Sequence, residues 1–187
     1  VSRFFYSKGG YHALEVMDRI TKKNKNVKAT LISQVPKEIK EKYSKNKKIK
    51  IYDLVPQKKL FEGIYPSADI FIYPGYIDTF GFPLTEAMSY GIPIVAADTN
   101  SRKEIVTNNK TGFVVPAPKV LEIKKDEINE IEEKIINDMV KATEKLIKDK
   151  NLRNRMSKNA LEEIKSGKFS IKERNKKLKR IYCEALE

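Results

Sequence analysis

The sequence has no tryptophan, one cysteine and one histidine. A lone Cys183 excludes an internal disulfide framework and fits a reducing cytoplasm. It falls in an amphipathic stretch, where a tolerated thiol is the expectation rather than a nucleophile. With His12 as the sole imidazole, no Cys/His set exists to hold a metal. No apolar run approaches the ~18–20 residues a membrane-spanning helix needs. The first residues, from Val1 to Tyr6, lack the positive start and long apolar core of a secretion signal. They read as if inside a strand, so a segment of a longer polypeptide is expected. Acidic residues are also scarce: 25 Asp and Glu face 38 Lys and Arg, for a net charge of +13. Such an excess attracts anions. Aromatics and arginines are not interleaved as nucleic-acid binders require, so no nucleic-acid partner is expected. Peripheral contact with an anionic membrane is an open expectation.

What is present is a globular chain. Its 187 residues, 40% of them hydrophobic, suffice for one domain with a buried core. Apolar patterning alternates between strand and helix. Val1–Phe5 reads as a strand end, Gly10–Lys22 as a helix with Ala13, Leu14, Met17 and Ile20 inward, and Val27–Ile32 as a strand. A polar helix is expected over Lys37–Ser44, a strand over Lys48–Val55 and a helix over Lys58–Tyr65 that Pro66 ends. Ile70–Tyr73 and Ile92–Ala97 are short, wholly apolar runs, as parallel strands buried on both faces should be. Helices are expected over Asp126–Lys148, Asn151–Lys165 and Ser170–Leu186. The alternation predicts an α/β, Rossmann-like, doubly wound parallel sheet with extra C-terminal helices. Ligands of such sheets sit at the carboxyl ends of the strands.

One stretch carries the chemistry: Asp78-Thr79-Phe80-Gly81-Phe82-Pro83-Leu84-Thr85-Glu86-Ala87-Met88-Ser89-Tyr90-Gly91. Gly81 lets something approach the main chain closely. Pro83 suits the first position of a helix. The N–H groups of Leu84, Thr85 and Glu86 are then expected to point out of the helix start, where about half a positive charge favours phosphate. Glu86, one turn in, does not bind phosphate but does bind sugar hydroxyls. The pair suggests a ligand carrying both groups.

These residues resemble the acid-x7-Glu motif of retaining glycosyltransferases of family 4, which have the GT-B fold. Asp78 and Glu86 have the motif's spacing, with Asp78 where the family usually has Glu. Ala68-Asp69-Ile70-Phe71-Ile72-Tyr73-Pro74 resembles the family's preceding strand. Glu104-Ile105-Val106 and Thr111-Gly112-Phe113-Val114-Val115 resemble its following segment. Arg3 with Lys8-Gly9 is similar to its R-x4-K-G, and Phe169-Ser170 to the start of its terminal helix. The resemblance implies that residues 1–187 are a single donor-binding domain, the C-terminal half of a GT-B fold, with an N-terminal acceptor domain absent from this chain.

It further implies roles. Arg3 and Lys8 would hold the donor diphosphate and steady the leaving group. Asp78 would face the transferred sugar, and Glu86 the ribose. Thr79, Phe80, Gly81, Phe82 and Leu84 would contribute main-chain groups, with the Phe80 and Phe82 rings expected to pack. Gly112 reads as a turn glycine and His12 as inert. The catalytic set on this reading is Arg3, Lys8 and Asp78, with no metal and no cofactor beyond the nucleoside-diphosphate sugar substrate. No D-x-D pair, which metal-dependent transferases of the other major fold use, occurs. The acceptor, a glycan or lipid-linked sugar, would come through the other domain, in the cytoplasm or at the inner face of the membrane. Two alternatives stand: a non-catalytic nucleotide-sugar-binding module and a GT-B nucleotide-sugar epimerase. The Lys119–Glu130 stretch is longer and more charged than the family's usual connection.

Overall fold

The structure, a computed structural model, describes residues 3–78, 80–117 and 128–186. Thr79 and most of the charged 119–130 stretch lie outside the described residues. The expected alternation is present. Helix α1 (Gly10–Lys23) leads to β1 (Ala29–Ile32), α2 (Lys37–Ser44) and β2 (Ile49–Tyr52). A composite helical segment follows: α3 (Gln57–Lys59), a π-helical turn (Leu60–Ile64) and a 3-10 turn (Tyr65–Ser67). Then come β3 (Phe71–Tyr73), α4 (Phe82–Ser89), β4 (Ile94–Ala97), α5 (Arg102–Ile105) and β5 (Gly112–Val115). Three helices close the chain: α6 (Ile128–Lys148), α7 (Lys150–Lys165) and α8 (Ile171–Glu184).

All described strand pairings within these elements are parallel: β1 with β2, and β3–β4–β5 in that order. The described sheet is therefore in two parts rather than one. The strand expected over Val1–Phe5 does not extend into Arg3–Phe5. Those residues enter tight turns instead, with Lys8 N–H donating to Phe4 O and Gly10 N–H to Phe5 O. The turns bury Phe5 and bring residue 8 to the sheet's carboxyl end.

Strand β4 is the spine. All four of its residues are buried. Ile94 and Ala96 face a cluster with Leu84, Met88 and Ile105; Val95 and Ala97 face another with Ile135, Met139 and Met156. Alternate side chains of a strand point to opposite faces, so this split requires helices on both sides. Gly112 is not a turn residue. It lies buried in β5, where a Cβ would come within 2.1 Å of Ile94 O, so the missing side chain permits the strand contact.

The helix expected over Lys58–Tyr65 exists but is broken into three kinds of turn. Pro66 has no N–H to continue the ladder, and the run ends as a 3-10 turn that buries Tyr65. Helix α7 is capped by Asp149, whose side chain accepts from Leu152 N–H, and α8 by Ser170, which accepts from Glu173 N–H. These are side-chain caps of the usual chemistry. No residue of α8 is buried, and Cys183 on it is exposed.

Candidate donor-binding site

The site forms where three loops meet at the carboxyl end of the sheet. They are the turn before α1, the β3–α4 connection and the β4–α5 connection. Lys8 arrives on the first. Gly9, in the left-handed region at φ 67, caps α1 directly after it. Asp78 lies on the second, after Tyr73 ends β3. Lys8 Nζ is 3.1 Å from Asp78 Oδ1, with both side chains largely enclosed. The sequence expected both residues to act on one ligand; the structure brings them together as an ion pair.

The other carboxylate oxygen faces inward. Asp78 Oδ2 accepts a hydrogen bond from the Tyr73 hydroxyl and is 3.7 Å from Arg102 Nη2. Burial works against the charge on Asp78. The Tyr73 hydroxyl, Lys8 and Arg102 outweigh it and hold the carboxyl below the usual carboxylate range. The same arrangement pushes the Tyr73 hydroxyl upward, first by burial and then by the adjacent carboxylate, so it stays a donor. Neither Tyr73 nor Arg102 was expected from the sequence. A tyrosine ending an apolar strand reads as core, and one arginine among 38 basic residues gives no signal. Burial of the arginine is what distinguishes it, and burial depends on the fold.

Helix α4 begins at Phe82, one residue earlier than the proline suggests, with Gly81 as its cap at φ 90. Only glycine takes that conformation without strain. The Leu84 N–H, expected to face a ligand, donates to Gly81 O at 2.9 Å. The left-handed cap tightens the first turn and uses that donor internally. The Leu84 side chain is fully buried. Phe80 and Phe82 contact each other at 5.2 Å between ring centroids, and Phe80 reaches Phe169 at 6.4 Å. Phe82 is nevertheless 68% exposed, so it is not the core-packing residue expected.

Glu86 is half-buried further along α4, and its Oε2 accepts from the Tyr65 hydroxyl at 2.8 Å. Tyr65 stacks on Tyr90 at 5.5 Å and touches Phe61 at 5.6 Å. Burial and the bond to Glu86 push its hydroxyl upward, so it too remains a donor. Arg3 is exposed, with no ion-pair or hydrogen-bond partner among the described residues; Lys8 alone of the expected basic pair is brought against Asp78. His12, expected to have no role, is buried edge-on against Tyr76 at 5.1 Å, and burial lowers its basicity despite Glu132 and Glu15. Among the described residues no cluster of His, Cys, Asp and Glu could hold a metal ion, and no helix is long and apolar enough to cross a membrane.

Comparison with known proteins fits this arrangement. Residues 1–134 match the family model described as glycosyl transferases group 1. A GDP-mannose-dependent alpha-mannosyltransferase of Mycobacterium tuberculosis is 34% identical over 59 residues, 32% of this chain and 15% of that protein. A UDP-Gal:alpha-D-GlcNAc-diphosphoundecaprenol alpha-1,3-galactosyltransferase of Escherichia coli is 29% identical over 121 residues, 65% of this chain and 27% of that protein. The chain thus matches about a quarter or less of the length of these curated relatives. Among solved structures, the C-terminal domain of the group 1 glycosyl transferase LpcC from Francisella tularensis aligns with a TM-score of 0.72 at 21% identity, covering 90% of this chain and 83% of that one. The pneumococcal O-GlcNAc transferase GtfA, solved with UDP and GlcNAc, aligns with a TM-score of 0.76 at 17% identity, covering all of this chain and 35% of its own. The fold is that of a GT-B C-terminal domain.

Proposed function

The chain belongs to the glycosyl transferases group 1 family, and from that premise we propose that it binds a nucleoside-diphosphate sugar and serves as the donor half of a retaining, metal-independent glycosyltransferase. The observation that carries the reading is the pairing of Lys8 with Asp78 at the carboxyl end of β3, with Glu86 held separately along α4. A cation beside one acid, and a second acid one turn into the helix that follows, suit a ligand that carries both phosphates and hydroxyls. The named donors of the relatives, GDP-mannose and UDP-galactose, have that composition.

In the transfer, the bond between the anomeric carbon and the diphosphate oxygen breaks, and negative charge develops on the leaving phosphate. Fixed cations aimed at that charge lower the barrier most. Lys8, on the turn before α1, and Arg3, exposed ahead of it, are the cations that would turn toward that charge when the donor binds. Lys acts as a point charge and Arg as a two-pronged donor. Asp78 orients the sugar and Glu86 the ribose. The sugar passes to the hydroxyl of an acceptor, a glycan or lipid-linked sugar held by a separate acceptor-binding domain at a cytoplasmic site, and the departing phosphate takes the hydroxyl's proton.

Calorimetric titration of the chain with UDP, GDP and ADP, each with and without EDTA, tests this. At least one nucleotide should bind in the micromolar-to-millimolar range, roughly −4 to −8 kcal/mol, equally in both conditions. Binding that disappears with EDTA overturns the metal-free mechanism. No binding to any of the three overturns the donor-site reading itself.

A further inference from the structure

Arg102 is a buried cation without adequate local partners. Its side chain has no exposed surface. A guanidinium removed from water is costly unless its charge and its five donors are matched. Here the matches are loose. Nη2 reaches Gly75 O at 3.4 Å, Nη1 reaches Phe80 O at 3.5 Å, and Nε has no hydrogen-bond partner. The guanidinium lies over the Tyr73 ring, 4.8 Å from its centroid. The full negative charge nearest to it is Asp78, 3.7 Å away. Gly75 and Phe80 bracket the loop that carries Asp78. Arg102 therefore holds both ends of that loop and faces its acid.

From this geometry we infer that Arg102 is the positioning residue that keeps Asp78 anchored while Lys8 leaves it for the diphosphate. This rests on the donor-site reading above. The two carboxylate oxygens have different neighbours. Oδ2 is fixed from inside by Tyr73 and Arg102, and Oδ1 is covered by Lys8. Lys8 is 22% exposed on a flexible stem, so it can turn toward a stronger anion. Arg102 is enclosed and cannot follow. When the diphosphate draws Lys8 away, Arg102 still compensates the carboxylate, and Oδ1 becomes free to accept from a sugar hydroxyl. Diphosphate binding thus uncovers the sugar contact, and Arg102 keeps the acid charged and in place during the exchange.

The test compares a nucleoside diphosphate that the chain binds with its nucleotide sugar, for the parent, Arg102→Met, Asp78→Asn and the double variant. Thermal melting confirms that each is folded. Arg102→Met should leave the free nucleotide within about threefold of the parent and remove about tenfold of the extra affinity the sugar confers, the worth of one hydrogen bond to a charged group. Adding Asp78→Asn to Arg102→Met should cost nothing further, because the first change acts through that acid. Additive losses, or equal losses for nucleotide and nucleotide sugar, overturn the assignment. If Arg102→Met does not fold, Arg102→Lys decides by the same ratio. A partial loss confined to the sugar supports the assignment, and an unchanged sugar increment overturns it. A parent that binds no nucleotide overturns the underlying donor-site reading, and this assignment with it.

Discussion

Asp78 and Glu86 stand eight residues apart in one motif, yet their surroundings have little in common. Asp78 sits between two cations and a tyrosine, with its carboxyl held in the charged form. Glu86 has one neutral partner, the Tyr65 hydroxyl, set among the Phe61 and Tyr90 rings. One end of the site is built from charge and the other from aromatic surface. A nucleoside-diphosphate sugar has the same asymmetry, with phosphates and a sugar at one end and a flat uncharged base at the other. The difference also separates what each acid contributes to stability from what it contributes to binding.

The sharpest way to break the comparison is to delete each acid and measure unfolding in urea. Asp78→Ala strands the enclosed Arg102 and should cost about 3 kcal/mol, the low end for a buried pair that loses one partner. Glu86→Ala removes one part-buried hydrogen bond from the Tyr65 hydroxyl to a carboxylate and should cost less, about 1.5 kcal/mol. Equal costs would show that the two ends are not built differently. The pH dependence gives the sign. A carboxyl held below its ordinary value stabilises the fold fully above about pH 4–5, and that contribution is lost as pH falls through the lower folded value. The stability gap between the parent and Asp78→Asn should therefore close on acidification, whereas a gap constant down to pH 2.5 would contradict the ionised pair.

Binding should reverse the ranking. Glu86→Ala is expected to weaken both the free nucleoside diphosphate and the nucleotide sugar by one to two decades, about 1.5–3 kcal/mol. Asp78→Ala should leave the free nucleotide nearly unchanged and weaken only the nucleotide sugar. If Glu86→Ala binds nucleotide like the parent, the acid at position 86 has no part in ribose recognition. The smallest effect is expected from Tyr65→Phe, which keeps the ring stack and removes one hydroxyl. It should lower nucleotide affinity several-fold, about 1 kcal/mol, because the hydroxyl acts on the ligand only by holding the Glu86 carboxylate. A loss as large as that of Glu86→Ala would mean that the tyrosine, not the glutamate, touches the ligand.

Much of this architecture was legible in the sequence. The apolar Ile92–Ala97 run reads as a strand covered on both faces, and β4 occupies its last four residues, all buried. Pro83 marked a helix start, and α4 begins one residue before it; Gly81, read only as a point of close approach to the main chain, is the residue that caps it. What could not be read were the partners of the acids. Tyr73 and Arg102 are separated by 29 positions and meet Asp78 only because the β3–α4 and β4–α5 loops emerge side by side from neighbouring parallel strands. Local patterning carries no trace of that adjacency. The turn at Arg3–Phe5 escaped for a different reason. Apolar residues at a chain start look like strand until the hydrogen bonds that fold them back are seen.

Gly81 and Arg102 also constrain how the sequence could change. A Cβ at position 81 would lie 2.9 Å from Arg102 Nη1 and 3.2 Å from a methyl of buried Leu84. The two positions are therefore not free to vary independently. A side chain at 81 has three obstacles, the left-handed backbone, the guanidinium beside it and the Leu84 methyl, and shortening Arg102 removes only the guanidinium. The order of substitution matters: a shorter residue at 102 can precede a side chain at 81, whereas the opposite order passes through a clash against an immovable buried cation. Sequences that carry a side chain at 81 should accordingly be ones that also have a shorter residue at 102.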